Sequence, residues 1–257
     1  MTSIMADNMR NRREIRIWAV IFWLIVWQIA SIVIGSDILL VSPVAVIIRL
    51  LELAAELEFW QAILYSLVRI IGGFMLALLA GCLSAALSAH FTRVQELLAP
   101  LMLVIKTIPV ASFIILALIW FSSQNLAIFI SFLMVLPIIY TNVLNGIRET
   151  DKELLEMAEV FEISGIRRIR YIYVPQVMPY FRAGCTVALG LCWKAGIAAE
   201  VIGMPTGSIG ERMQQAKVYL DTPDLFAWTL VIIAVSLAFE RLFQGLLKVI
   251  SVRLERM

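Results

Sequence analysis

Four charged residues lie within or at the edges of long apolar runs, and these side chains could act on a charged solute. They are Arg69, Lys106, Lys194 and Glu200. A charge at the centre of a bilayer costs on the order of 2.5–3.5 kcal/mol, so such residues usually face a bundle interior or a wet cavity. Lys106 also lies three residues before Pro109, where a broken helix could line such a cavity.

These four charges have two interpretations. The structural one is that they form ion pairs between helices, fixing packing or dimerisation, or, for Arg69, that the side chain reaches the membrane interface. The functional one is that Lys106 or Lys194 helps an anionic substrate across the membrane. Lys194 and Glu200 are six residues apart and fall on different faces of one helix, so each is expected to find a partner on another element.

The composition indicates what surrounds these charges. The 257 residues are 61% hydrophobic and 16% charged, and the formal net charge is +2. A soluble domain carries roughly 25% charged and 45–50% apolar residues. The bilayer is therefore the expected solvent, and the small net charge gives no indication of nucleic-acid binding.

Six membrane spans are predicted from the apolar runs. Residues 107–147 are uncharged and long enough for two crossings at roughly 20 residues each, and the polar residues 122–125 divide them. The predicted spans are 17–34, 61–89, 97–121, 126–146, 174–203 and 225–249. The expected fold is an all-α polytopic membrane protein, with 1–257 forming one domain.

The distribution of basic residues predicts the orientation. Of the 21 Lys and Arg residues, 15 fall in or beside 1–16, the connection at Arg93, the connection 148–173 and the end of the chain. Basic residues concentrate on the cytoplasmic side of membrane proteins. Both termini, including the segment 1–16, and the connection 148–173 are therefore predicted to be cytoplasmic.

The connection 148–173 is a charged segment between two spans. Residues 152–161 have apolar side chains at helical spacing, and Ser164-Gly165 supplies turn chemistry with Ser164 as a possible cap of a second short helix. Pro175 is expected to mark the start of the fifth span. The pattern predicts a helix–turn–helix at the membrane surface, and an amphipathic helix resting on anionic lipid is the alternative.

Two segments on the predicted extracytoplasmic side of the membrane are also predicted to contain short helices. Ser42 fits an N-cap and Pro43 the first position of a helix. Residues 204–221 are too polar for a span; Pro205, Gly207 and Gly210 break the preceding helix, and 209–216 reads as a short helix. This segment is either re-entrant, covering a cavity, or a plain extracytoplasmic connection.

Several classes of chemistry have no motif in this sequence. It contains no phosphate-binding loop ending in Gly-Lys-Ser/Thr, no G-x-S-x-G, no H-E-x-x-H and no metal-ligand cluster. We therefore expect no enzymatic activity, no metal and no cofactor in the chain itself. The chain itself is therefore not expected to hydrolyse ATP.

The spacing within the charged segment resembles the coupling loop of ABC-transporter permeases. In that pattern the motif E-x-A is followed by three residues, a glycine, nine further residues and then the motif I-x-L-P. It matches Glu156-x-Ala158 and, with Val174 in place of Leu, Ile172 to Pro175. Glu162 stands where the family has a glycine that permits a tight turn, so Gly165 is expected to make the turn instead.

The rest of the chain, roughly 38–246, resembles the permeases of nitrate, sulfonate, taurine and pyrimidine-precursor importers. The similar motifs are SLVRIIGGF at 66–74, KTIPVA at 106–111 and WKAGIAAE at 193–200. The resemblance implies a permease subunit in the inner membrane of a prokaryote. It also implies a second permease copy, two ABC ATPase subunits, an extracytoplasmic solute-binding protein and contact with membrane lipid.

The resemblance implies roles for two sets of residues. The set expected to couple to the ATPase is Glu156, Ala158, Glu162, Ser164, Gly165, Ile172 and Pro175. The set expected to line the pathway is Lys106, Pro109, Lys194 and Glu200. The implied substrate is a small anionic or zwitterionic solute such as nitrate, a sulfonate or taurine; a heterocyclic vitamin or pyrimidine precursor is the alternative. A secondary transporter or channel without an ATPase is the rival from another class.

Overall fold

The computed structural model describes residues 17–255, in which the secondary structure is helical without strands. The predicted N-terminal segment 1–16 lies outside the described residues. The helices are α1 (Ile17–Ile34), α2 (Pro43–Ala54), α3 (Leu57–His90), α4 (Thr92–Thr107), α5 (Val110–Ala117), α6 (Ser123–Arg148), α7 (Lys152–Val160), α8 (Gly165–Arg168), α9 (Val174–Gly203), α10 (Ile209–Val218) and α11 (Thr222–Glu255), with a π-helical turn, Ile169–Tyr173, between α8 and α9. The predicted all-α class is confirmed.

Five of these elements are long and apolar enough to cross a membrane: α1, α3, α6, α11 and the continuous helix Gly165–Gly203. A sixth crossing arises if α4 and α5 together form one span, although the two helices meet at 104°. The predicted third span, 97–121, thus corresponds to the end of α4 and to α5, with the break that the sequence predicted at Pro109 between them. Pro109 has no N–H to continue the ladder of α4, and Ile108 before it is extended, with φ −74° and ψ 132°.

The centre of the bundle is α6, which packs along most of its length against α3 on one side and α9 on the other. The face of α3 toward α6 carries small residues every fourth position: Gly73, Ala77, Gly81 and Ala85. A Cβ at Gly73 would lie 2.4 Å from the carbonyl oxygen of Ile128, so only glycine permits this approach. Close contact between small residues stabilises helix pairs in membranes, where hydrophobicity alone does not draw helices together.

The helices α1 and α2 lie at the edge of this bundle. Only Ser31 of α1 is buried, and its hydroxyl donates to the carbonyl of Leu40 at 3.1 Å. The start of α2 is as predicted, because Ser42 accepts a hydrogen bond from the N–H of Ala45 and Pro43 occupies the first turn. Across the same surface Arg49 of α2 forms an ion pair with Asp224 of α11, with Nε 2.9 Å from Oδ1.

Candidate functional site

The charged segment 148–173 begins with a capped helix, α7. The side chain of Asp151 accepts a hydrogen bond from the N–H of Glu153 at 2.9 Å, which satisfies one of the free donors at the helix start. The N–H of Asp151 donates to Oε1 of Gln176 at 2.8 Å, tying the start of α7 to the first turn of α9. The predicted helix is thus present, and its start is tied to the side chain of Gln176.

Glu162 makes the turn after α7, although Gly165 was expected to do so. Its φ is 51°, in the left-handed region, whereas Gly165 is the first residue of α8. The N–H of Glu162 donates to the carbonyl of Glu159 at 3.0 Å, and that of Ile163 donates to the carbonyl of Ala158 at 2.9 Å. These two bonds form a Schellman motif, in which glycine normally occupies the position held here by Glu162. Ser164 precedes α8 as predicted but makes no capping bond through its side chain.

The helix that becomes the fifth span begins ten residues before Pro175. It runs without a large bend from Gly165 to Gly203, so the predicted fifth span, 174–203, is the larger part of a helix that begins earlier. A π-turn accommodates the proline: the N–H of Val174 donates to the carbonyl of Ile169, five residues back, just before the residue that has no N–H. The second helix of the predicted helix–turn–helix is therefore one piece with the span.

The predicted coupling residues divide into exposed and buried ones. Glu156 and Glu162 are exposed, whereas Ala158 is fully buried and Ile172 is 7% exposed. Ala158 and Ile172 therefore act within this chain, by holding the segment together. Only the exposed members of the set can contact another protein directly.

The outer surface of the segment is strongly apolar for a stretch so rich in charge. Val160, Phe161 and Ile166 expose 79%, 72% and 81% of their surface. In the sequence, acidic residues of α7 precede these side chains and basic residues of α8 follow them. Apolar residues exposed together with a polar rim are typical of a protein–protein contact.

Lys106 lies at the break between α4 and α5. Its ammonium group donates to the hydroxyl of Thr141 on α6 at 2.8 Å, and it is exposed in the single chain. Pro109 occupies the N-cap position of α5, next to the 104° bend. The break predicted beside Lys106 is thus present, and the lysine is held by a neutral hydroxyl.

Lys194 is exposed on α9 and lines a cavity of about 350 Å³ between α9 and α11. Glu240 of α11 lines the same cavity. No ion pair joins Lys194 to any residue in the described part of the chain. The expected separation from Glu200 holds, since the two side chains lie on different faces of α9.

Glu200 is fully buried and accepts hydrogen bonds from two other elements. Its Oε2 accepts from the hydroxyl of Ser66 on α3 at 2.7 Å and from the N–H of Gly210 on α10 at 3.2 Å. Ser66 Oγ in turn accepts from the N–H of Ile209 at 3.0 Å. Glu200 and Ser66 thus satisfy the first two N–H groups of α10 and fix that helix to the bundle.

Gly210 allows this contact because it has no side chain. A Cβ there would lie 2.3 Å from Cβ of Glu200, closer than two carbons can approach. The start of α10 is also capped by Ser208, which accepts from the N–H of Glu211 at 3.0 Å, while Glu211 accepts from the N–H of Gly207 at 2.6 Å. Residues 204–218 are therefore a firmly held element that packs on α3, α9 and α11.

Two of the four intramembrane charges, Arg69 and Glu200, lie close enough to interact electrostatically, whereas Lys106 and Lys194 lie elsewhere. Lys106 contacts α6, Lys194 faces α11 and Glu200 is bonded to α3 and α10. Arg69 stacks over the ring of Tyr65 at 4.0 Å from its centroid, and its Nε has no hydrogen-bond partner. Sequence reasoning missed Ser66 as a partner of Glu200, because a lone serine 134 residues away carries no signal of that contact.

Comparison with known proteins identifies the family. The family described as "Binding-protein-dependent transport system inner membrane component" matches residues 73–256. The chain is 32% identical over 200 residues to a putative aliphatic sulfonates transport permease protein of Escherichia coli, covering 77% of this chain and 75% of that protein. It is 26% identical over 209 residues to a protein with the same description from Bacillus subtilis, covering 80% and 75%.

A third relative is the bicarbonate transport system permease protein CmpB of Synechococcus elongatus, 29% identical over 184 residues, covering 71% of this chain and 66% of that protein. The family match includes α6, the segment 148–173 and the whole of α9. The protein is therefore a multi-pass plasma-membrane permease and belongs to the inner membrane components of binding-protein-dependent transport systems, the membrane-spanning subunits of ABC transporters.

Proposed function

We propose that this permease forms the pathway of an ATP-driven importer for a small anionic or zwitterionic solute. Two copies would enclose the pathway, and two ATPase subunits would each hold one segment 148–173. An extracytoplasmic binding protein would deliver the solute. ATP-driven closure of the ATPases would move the two segments and switch access from one side of the membrane to the other.

The exposed face of the segment 148–173 is the observation that carries this proposal. Val160, Phe161 and Ile166 are exposed in the described part of the chain, and charged residues flank them in the sequence. Partner contacts have this composition, with an apolar centre and a polar rim. Because α8 continues into α9, a force applied to the segment reaches the fifth span without passing through a flexible linker.

Two observations support the nature of the solute. Relatives of the chain are described as transporting aliphatic sulfonates and bicarbonate, which are both small anions. Lys106 and Lys194 are exposed basic residues within or beside the spans, placed to attract an anion. A heterocyclic vitamin or pyrimidine precursor, moved by the same machinery, is the second candidate.

Coupling can be tested by Glu156→Arg in the complete transporter. We expect the ATPase to co-purify at least tenfold less and ATP-dependent uptake to fall with it, because the substitution reverses charge on an exposed residue of the contact face. Glu96→Arg is the matched control, since Glu96 is also exposed but lies on α4. Normal co-purification and uptake in Glu156→Arg would contradict the proposed role of Glu156 in coupling to the ATPase.

The rival hypothesis, a secondary transporter or channel that needs no ATPase, is tested with the same purified transporter. Proteoliposomes containing the permease and binding protein are loaded with ATP and assayed with and without the ATPase subunit. Uptake that requires the ATPase supports the importer, whereas equal uptake in its absence would identify a secondary transporter or channel.

The solute class is tested by uptake of a labelled sulfonate, bicarbonate or a neutral pyrimidine precursor. Lys194→Gln should slow uptake of an anion about tenfold and leave a neutral solute unaffected. Equal effects on anionic and neutral solutes would assign Lys194 to helix packing.

A further inference from the structure

A second cavity lies between α9 and α11, nearer the end of α11 than the cavity at Lys194. Its volume is about 280 Å³. Three of its lining residues are basic: Arg182 of α9, and Arg241 and Lys248 of α11. None of its lining residues is acidic, so the cavity presents three positive charges to whatever enters it.

These three charges are not neutralised within the described residues. The ion pairs formed there involve other basic residues, Arg49 and Arg212. The nearest carboxylate in sequence, Glu240, lines the neighbouring cavity with Lys194 and accepts a hydrogen bond from Nε2 of Gln244 at 2.9 Å. Three cations around one cavity repel one another, so an anion bound there would stabilise the site.

The position along α11 places the cavity at the depth of lipid headgroups. The charged residue Asp224 marks the other end of this helix, where it pairs with Arg49. At 1.5 Å per residue, Arg241 and Lys248 lie roughly 26 and 36 Å from Asp224. These distances bracket the roughly 30 Å thickness of the hydrocarbon layer, so one basic residue lies at its edge and the other beyond it.

We propose that this cavity binds the phosphate headgroup of an anionic phospholipid. The two guanidinium groups can each donate two parallel hydrogen bonds to phosphate oxygens, and the lysine adds a third positive charge. Leu247 of α11 also lines the cavity, and Leu242 and Leu246 are exposed on the same stretch of the helix, so this stretch can contact acyl chains. The depth of the cavity at the membrane interface favours a lipid over a free phosphate ion. Basic pockets of this kind between membrane helices suit lipid headgroups.

The test uses the purified full-length permease and native mass spectrometry, with phosphatidylglycerol and phosphatidylcholine titrated separately. The first variant is the double substitution Arg182→Gln/Arg241→Gln. The matched control, Arg93→Gln/Lys217→Gln, removes two exposed positive charges elsewhere. A third variant, Gly245→Phe, fills the cavity and keeps its charges; a Cβ at Gly245 meets nothing within 4 Å, so the fold should tolerate it.

We expect the wild type and the control to prefer phosphatidylglycerol over phosphatidylcholine. The double variant should bind phosphatidylglycerol roughly thirtyfold more weakly, about fivefold for each basic residue lost. Gly245→Phe should also lose the preference, because the headgroup no longer fits. Phosphatidylcholine binding should be the same in all four proteins.

Four results would overturn the proposal. They are an equal loss in the control, a preference retained in Gly245→Phe, displacement of phosphatidylglycerol by millimolar inorganic phosphate, and no preference in the wild type. Displacement by phosphate would identify a site for a soluble anion.

Discussion

The two ends of the helix that contains α9 are built in opposite ways. At one end the segment 148–173 exposes its apolar residues and hydrogen-bonds mainly to its own backbone. At the other end α10 is held by Glu200 and Ser66, both fully buried. Both ends contain a residue other than glycine in the left-handed region: Glu162 at φ 51° and Met204 at φ 46°.

The difference indicates which contacts stabilise each end of the helix. The end at Glu200 is complete within the chain, so substitutions there should lower stability. The end at Glu162 has an uncovered surface, so exposed substitutions there should leave stability intact and change binding of a partner. Free energies of unfolding, measured by SDS titration in mixed micelles, and ATPase co-purification can separate these two effects.

Gly210→Val should have the largest effect on stability. The new side chain would begin 2.3 Å from Cβ of Glu200, and overpacking of this kind costs about 3 kcal/mol. Gly165→Val is the control in the segment 148–173, where a Cβ meets nothing within 4 Å. Equal losses of unfolding free energy in the two variants would contradict the proposed difference between the two ends.

Glu200→Ala should lower the free energy of unfolding by about 2 kcal/mol. The N–H of Gly210 and the hydroxyl of Ser66 would lose a buried acceptor, and unsatisfied buried groups are costly. Glu200→Gln keeps one acceptor oxygen and should lose less than half as much. A neutral effect of Glu200→Ala would show that α10 is held without this residue.

Glu162→Gly should stabilise the protein by about 1 kcal/mol, because the left-handed conformation strains any residue with a Cβ. The same change three residues earlier, Glu159→Gly, lies inside α7 and should destabilise by about 1 kcal/mol. Opposite signs in unfolding measurements would confirm the turn, and a loss in both variants would contradict it.

Glu156→Arg should have the smallest effect, within 0.5 kcal/mol of the wild type, because the residue is exposed and away from the buried contacts. Its effect on ATPase co-purification should nevertheless be the largest of this series. A destabilisation of 2 kcal/mol or more would mean that the segment owes its structure to Glu156, which would weaken the distinction between the two ends.

The sequence was sufficient to predict features that depend on local chemistry. The apolar runs predicted the helices that are long enough to cross a membrane, Ser42 and Pro43 predicted the start of α2, and the spacing of apolar residues predicted α7. Each of these depends on residues within a few positions of one another, where propensity, capping and hydrophobic period agree.

The sequence was insufficient where a contact or a backbone adjustment decided the outcome. Glycine preference pointed to Gly165 for the turn, but the Schellman bonds of α7 place Glu162 there. Proline preference placed the start of the fifth span at Pro175, but it gave no sign that a π-turn extends the helix ten residues further, to Gly165. The acceptors and donors around Glu200 come from α3 and α10, a pairing that only the folded bundle reveals.

The length of the helix through Gly165–Gly203 has a mechanical consequence. Its 39 residues span roughly 58 Å, about twice the thickness of the hydrocarbon layer. A rod of that length behaves as a lever: a tilt of about 10° around its midpoint displaces each end by roughly 5 Å in opposite directions. A small rotation applied at Gly165 would therefore reach the firmly bonded end at Glu200 as a movement comparable to the width of a small solute.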